Sequence, residues 1–209
     1  MKQHEGKDIL FIFDYYFALN THRRHTRYNS YERLANMHIY FETSNLLIRQ
    51  YTMQDTQELY EIMSNPRVHA FTKDKEHPWD RERTEEYIRF FVDKNFVTLD
   101  CFHGAVIEKA SGRIIGLTGL NPYQEKEPEI EWKLETAFWN KGYATEIGKK
   151  LIAEAFRTTD ILGIYGMAQQ ENAASRKVLQ KIGMEYLGIN EFRNHNDAFY
   201  YIPKNRNNF

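Results

Sequence analysis

Over the first 37 residues, apolar and polar positions keep no sustained period, helical or alternating. Residues 2–8 are polar, 9–19 apolar and aromatic, and 22–33 basic and His-rich. At Met37 the pattern changes, and 37–43 reads like the opening of a conventional domain. The expectation is an N-terminal extension over 1–37 and a domain over 38–209. Two readings of the extension stand: a disordered or docking arm, or residues that precede a true start at Met37. Peptides from 1–36 in mass spectrometry of the native protein would exclude the second.

From residue 43 the periods become regular. Leu46, Leu47 and Ile48 mark a short strand over 45–50. Thr52 and Asp55 offer a capping entry to a helix that runs to about Met63, with Leu59, Ile62 and Met63 on one face. Asn65-Pro66 ends it. Tyr87, Phe90 and Phe91, at i, i+3 and i+4, predict a second helix over 79–94. Strand patterns over 98–109 and 113–120 flank the hairpin turn Ala110-Ser111-Gly112. A third strand, 129–134, is reached through Asn121-Pro122 and a charged loop. Ala144, Ile147, Leu151 and Ala155 form one stripe of a helix over 143–156. A strand over 162–167 follows, then a helix over 172–182. Asn172 caps it, Gly183 takes the left-handed position after its end, and Met184 supplies the apolar contact beyond. Residues 185–188 and 198–203 give two last strands. An antiparallel meander thus precedes a β-α-β unit, which predicts an α/β fold with a mixed sheet and helices on both faces.

Composition narrows the classes. With 209 residues, 42% hydrophobic and 27% charged, the chain has room for one α/β domain with an ordinary core. A net charge of −1 lacks the basic excess of a protein that grips phosphates, so no nucleic-acid partner is expected. The lone Cys101 excludes an intrachain disulfide framework and a Cys-rich zinc site. No His/Asp/Glu cluster has metal-ligand spacing, so no metal is expected. No apolar run approaches the roughly 20 residues of a bilayer span. Residues 9–17 are interrupted by Asp14 and lack a signal-peptide core and cleavage site. A cytoplasmic protein away from membranes, monomeric or homodimeric, is the expectation.

The chemistry concentrates in 129–146, where a strand ends, a loop turns and a helix begins at about Tyr143. Amides at a helix start lack internal partners, and the helix dipole adds partial positive charge there. Together they suit a pyrophosphate. Gly142 lets a ligand approach the backbone, Ala144 keeps the next contact small, and Lys141 adds a cation. The loop carries neither the G-x-G-x-x-G of a dinucleotide fold nor a Walker loop.

Trp139-Asn140-Lys141-Gly142-Tyr143-Ala144-Thr145-Glu146 resembles the coenzyme A pyrophosphate loop of the GNAT N-acetyltransferases, in particular the branch of the ribosomal-protein N-terminal (alanine/serine) acetyltransferases. Two further blocks agree: residues 43–49 with the family's opening strand, and residues 172–184 with its Asn-x-x-Ser…Lys-x-Gly-Phe block. The resemblance covers about 42–203. Asn140 stands where Gly is usual, and Glu131 replaces a strand Gly; Asn tolerates unusual backbone angles better than most residues. The resemblance implies a splayed, mostly antiparallel sheet with a cleft between the strand at 129–134 and the strand at 162–167. It implies acetyl-CoA in that cleft and an amine as acceptor. The backbone of Leu134, Glu135 and Thr136 would hold the pantetheine arm. The amides of Asn140, Lys141, Gly142, Tyr143, Ala144 and Thr145 would hold the pyrophosphate, and Asn172 would bond the pantetheine or the acceptor region.

Acetyl transfer requires a neutral amine and a proton for the leaving thiolate. By carry-over from the family, Ser175 is the candidate acid; the alternative is a first-turn serine that only caps its helix. Alternation puts Glu129 and Glu131 on one face, opposite Ile130, Trp132 and Leu134. Either carboxylate is a candidate base, against the alternative of two solvated surface groups. His103 and His195 are weaker candidates. Phe71, Trp79, Tyr123, Trp132 and Tyr200 are candidate acceptor-lining residues or, alternatively, ordinary core. The acceptor is a protein α-amino terminus or a small amine; a coenzyme A-binding module without turnover is the third reading.

Overall fold

The structure, a computed structural model, describes residues 38–72, 74–95, 99–192 and 195–204; the extension expected over 1–37 lies outside them. The described chain opens with a hairpin of β1 (Ile39–Glu42) and β2 (Leu46–Arg49). Thr43 closes its turn, the Oγ1 accepting from the Leu46 N–H at 2.9 Å. The stretch read above only as a domain opening therefore supplies a strand of its own. Thr52 and Asp55 box a short 3-10 turn, Met53–Asp55, that leads into α1 (Thr56–Met63). Arg49 fixes the Asp55 carboxylate through both guanidinium nitrogens, at 2.7 and 2.8 Å. Asn65 caps a second 3-10 turn, Pro66–His69. α2 (Arg81–Lys94) starts two residues later than the pattern suggested, because Asp80 is its cap and accepts from the Arg83 N–H at 2.8 Å.

The meander is β3 (Phe102–Glu108), β4 (Ile114–Gln124) and β5 (Glu127–Leu134). β4 does not end at Asn121-Pro122 as expected. Pro122 sits where the β4–β5 register shifts between Asn121 and Gln124, so the ladder needs no donor there. The charged loop shrinks to a tight turn with Lys126 at φ 58. α3 (Tyr143–Thr158), β6 (Gly163–Gln169) and α4 (Ala173–Lys181) follow. The last strands, β7 (Glu185–Phe192) and β8 (His195–Pro203), outrun their apolar patterns. Cross-strand pairing recruits polar residues there, Asn190 opposite Asp197 and Glu191 opposite Asn196.

These strands form one sheet in the order β1-β2-β3-β4-β5-β6-β8-β7. Among the described residues every neighbouring pair is antiparallel except β5–β6. The mixed, mostly antiparallel sheet is the one expected, with one strand more. Alternation sends side chains to two sides. Phe102, Val106, Leu120, Ile130 and Leu134 join Ile147, Leu151, Ile152, Ala155 and Phe156 of α3 and Leu179 of α4 in one core. Burying a Leu, Ile or Phe side chain contributes about 1.5–3 kcal/mol, so these residues hold the start of α3 firmly against β5. His103 alternates with Phe102 and stacks instead on Phe91 of α2, ring centroids 4.7 Å apart. Among the described residues no helix is long and apolar enough to cross a membrane.

Candidate active site

β5 is paired along its length to β4, and β6 along its length to β8, from Gly163–Pro203 to Gln169–Asp197. Between them β5 and β6 share only the pair Glu129–Tyr165. Past that point the two parallel strands diverge, and residues 130–134 and 167–169 become opposite walls of a cleft of about 560 Å³. The splay lies where it was expected.

One end of the cleft is built from backbone. Asn140 and Gly142 both take left-handed conformations, at φ 62 and 85. Gly142 is the cap residue of α3 and offers no side chain to its amides. The first bond inside the helix runs from the Glu146 N–H to the Gly142 carbonyl, at 3.0 Å. A side chain at Gly142 would project into open space, with nothing within 4 Å. The first-turn amides therefore face an open cleft, the arrangement that attracts a phosphate. The Glu146 carboxylate would oppose such an anion, but it is turned away and accepts from the Asn45 backbone N–H and side-chain Nδ2, both at 2.9 Å. Trp139 pins the loop from below: its Nε1 donates to the Leu134 carbonyl at 2.8 Å, and the Arg67 guanidinium lies 5.8 Å from its ring centroid. These features fit a pyrophosphate-bearing ligand.

Of the sequence candidates for this end, Leu134, Asn140, Gly142, Tyr143, Ala144, Thr145 and Asn172 line the cleft. Glu135, Thr136 and Lys141 are not among its lining residues. The Glu135 N–H donates to the Ile115 carbonyl at 2.8 Å and its carboxylate faces Arg113. Thr136 opens a 3-10 turn, Thr136–Phe138. The Lys141 ammonium sits over the Phe138 ring, 4.4 Å from its centroid. The Leu134 carbonyl is also taken, and residues 130–133 line the cleft beside Leu134.

The other end is built from side chains. Glu129, Glu131 and Lys133 share one face of β5, away from Ile130 and Leu134 in the core. Glu129 is 8% exposed, which removes the solvated reading for it. The Glu131 carboxylate pairs with the Lys133 ammonium and accepts from Asn121 Nδ2 at 2.9 Å. Behind Asn121, its Oδ1 lies 2.7 Å from His103 Nε2, and His103 Nδ1 lies 2.5 Å from the Tyr87 hydroxyl. Burial, aided by the Lys133 charge and opposed by the Asn121 bond, pushes the His103 imidazolium down to about 3. The ring is neutral in ordinary buffers.

Ser175 lines the cleft from the first turn of α4. It is not the cap: Asn172 is, its Oδ1 accepting from the Ser175 N–H at 3.1 Å. Phe71 and Trp132 line the cleft. Trp79, Tyr123 and Tyr200 pack elsewhere. Trp79 donates to Asp74 at 3.0 Å, Tyr123 packs on Tyr165, and Tyr200 is fully buried. The His195 side chain lies outside the described residues. Sequence reasoning missed Arg67, Asp74, Asn121, Lys133 and Asp197, all on the cleft wall. The alternation that placed Glu129 and Glu131 also carried Lys133. Asn121 was hidden by the proline after it, and no local signal marks Arg67, Asp74 or Asp197.

Residues 45–185 match the family model described as an acetyltransferase (GNAT) domain. The uncharacterized N-acetyltransferase YnaD of Bacillus subtilis (strain 168) is 31% identical over 154 residues, 73% of this chain and 85% of that protein. A GNAT-family acetyltransferase structure from Bacillus anthracis aligns with a TM-score of 0.67 at 23% identity, covering 78% of this chain and 97% of that one. RimL, a ribosomal L7/L12 α-N-protein acetyltransferase solved with coenzyme A, aligns with a TM-score of 0.67 at 14% identity, covering 79% and 97%.

Proposed function

The chain belongs to the GNAT acetyltransferase family and is an acetyl-CoA-dependent acyltransferase; from that premise we propose that its acceptor is the α-amino group of a protein or peptide N-terminus. The single observation that carries the choice is the shape of the acceptor end. At that end the main cleft is bordered by Phe71, Thr72 and Gln169. A second depression of about 410 Å³ adjoins it at the same three residues and is lined further by Lys75, Glu76 and Glu171. Such a groove suits an extended chain whose first residue reaches the splay. The fold likeness to RimL, which acts on a protein α-amino group by its description, points the same way.

The donor supplies an acetyl thioester. The first-turn amides of α3 would hold its pyrophosphate, and the 130–133 edge of β5 would flank its pantetheine arm. Glu131 is the base: its carboxylate faces the cleft and takes a proton from the incoming ammonium. An α-amino group, with a reference pKa of about 7.7–8.0, already presents a useful neutral fraction near pH 7, unlike a lysine at about 10.4. One carboxylate is then an adequate acceptor. The Ser175 hydroxyl, not used as a cap, donates a proton to the departing sulfur and takes in its place the proton that the attacking nitrogen loses as the amide forms.

A thiol-release assay tests the reading, with acetyl-CoA, peptides bearing free or formylated N-termini, and a panel of amino sugars, polyamines and amino-acid derivatives. Release with free-amine peptides, abolished by formylation, is the expected result. Release on small amines alone would transfer the function to a small-molecule acceptor. Acetyl-CoA binding without release on any acceptor would leave a non-catalytic module.

A further inference from the structure

Behind the Glu131 carboxylate runs a polar chain across three secondary-structure elements: Asn121 on β4, His103 on β3 and Tyr87 on α2. Its hydrogen bonds can be directed in only one way. A carboxylate accepts, so the Asn121 group facing Glu131 must be the amide nitrogen. Asn121 Oδ1 therefore faces His103 and needs a donor, which fixes the proton of the neutral imidazole on Nε2. His103 Nδ1 is then the acceptor, and the Tyr87 hydroxyl donates to it. The side chains of His103 and Asn121 are almost fully buried, 2% and 5% exposed.

Glycine makes the approach possible. Gly119 is the Cα partner of both His103 on β3 and Glu131 on β5. A Cβ at Gly119 would lie 2.7 and 2.8 Å from the His103 ring carbons and 2.3 Å from the Phe102 carbonyl. The missing side chain leaves the space that the imidazole occupies beside Gly119, from which it reaches Asn121.

We propose that His103 and Asn121 are positioning residues, which hold the Glu131 carboxylate in a single orientation towards the cleft as the proton acceptor; the inference rests on the reading of Glu131 as base. The His103 N–H locks the Asn121 amide against a flip that would turn its oxygen onto the carboxylate. Of the charged residues that line the cleft with Glu131, Lys133 pairs with it directly; the others are Arg67, Asp74, Glu129, Lys177, Lys181 and Asp197. Asn121 is the neutral donor among them. It can orient the carboxylate without adding a second cation that would hold its charge too tightly to accept a proton.

A double-mutant cycle in the full chain tests this, reading kcat and both KM values with acetyl-CoA and an accepted N-terminal peptide. His103→Leu should lower kcat about tenfold, leave the KM for acetyl-CoA within about twofold, and have no further effect in a Glu131→Gln background. His103→Gln, which keeps an N–H near the Nε2 position, should restore most of kcat. Equal losses in the two backgrounds, or an undiminished kcat in His103→Leu, would overturn the proposal and leave the chain as fold support. Should His103→Leu fail to fold, Asn121→Ser runs the same cycle with the same expected non-additivity. A Glu131→Gln enzyme with normal kcat would remove the base itself, a failure of the proposed mechanism that the cycle distinguishes from loss of positioning alone.

Discussion

The two ends of the cleft are assembled by opposite strategies. The end proposed for the donor comes mostly from one continuous stretch, 134–145, and presents main-chain amides and two left-handed residues, Asn140 and Gly142. The end proposed for the acceptor gathers side chains from the second 3-10 turn and the loop after it, from β4 and β5, and from β8. Main-chain recognition tolerates most side chains and needs only a local turn and a helix start. A side-chain constellation depends on register, so one residue of slip on β5 would exchange Glu131 for Ile130 or Trp132. The first end suits a donor common to a whole family, and the second suits an acceptor particular to one chain.

The sharpest way to separate the ends is Glu131→Gln. It should lower kcat by about a hundredfold or more and leave acetyl-CoA affinity within about twofold, read by steady-state kinetics beside calorimetry. Parallel losses in both would mean that the two ends are not independent.

Next in size is a stability effect at the acceptor end. The folded-state pKa of His103, about 3, lies below its ordinary 6.5, so the unfolded chain binds the proton first. The stability from keeping His103 neutral is full above about pH 6.5 and is lost as pH falls towards 3. Relative to His103→Gln, the wild-type protein should lose about 1.5 kcal/mol between pH 6.5 and pH 5. Urea titrations at both pH values measure it, and identical slopes for the two proteins would mean that the ring is not buried as described. Ser175→Ala should have the smallest effect, lowering kcat about tenfold with acetyl-CoA binding unchanged. Undiminished turnover would reduce Ser175 to a wall residue.

The same division governs what could be read from the chain. The turn at Gly142 into a helix, the Asn172 cap and the Gly183 turn were legible because each is specified within a few residues. The alternation of Glu129 and Glu131 was legible because a strand has period two. The continuation of β4 through Asn121-Pro122 was not, since a proline reads as a stop unless the register shift beside it is known. Nor was β1, four residues whose strand character comes from pairing with β2. The engagement of Leu134 and Glu135 within the protein depends on Trp139 and Ile115, partners that only the folded sheet supplies.

The claim beneath all of this is that bare amides beside Gly142 seat the donor. Calorimetric titration of acetyl-CoA into wild-type, Gly142→Val and Lys141→Ala proteins tests it most directly. A β-branched residue at φ 85 is strained by about 1–2 kcal/mol, and its side chain would enter the space over the amides. Affinity should fall at least about tenfold for Gly142→Val and stay within about twofold for Lys141→Ala, whose ammonium sits over Phe138. Unchanged affinity in a folded Gly142→Val protein would contradict the account.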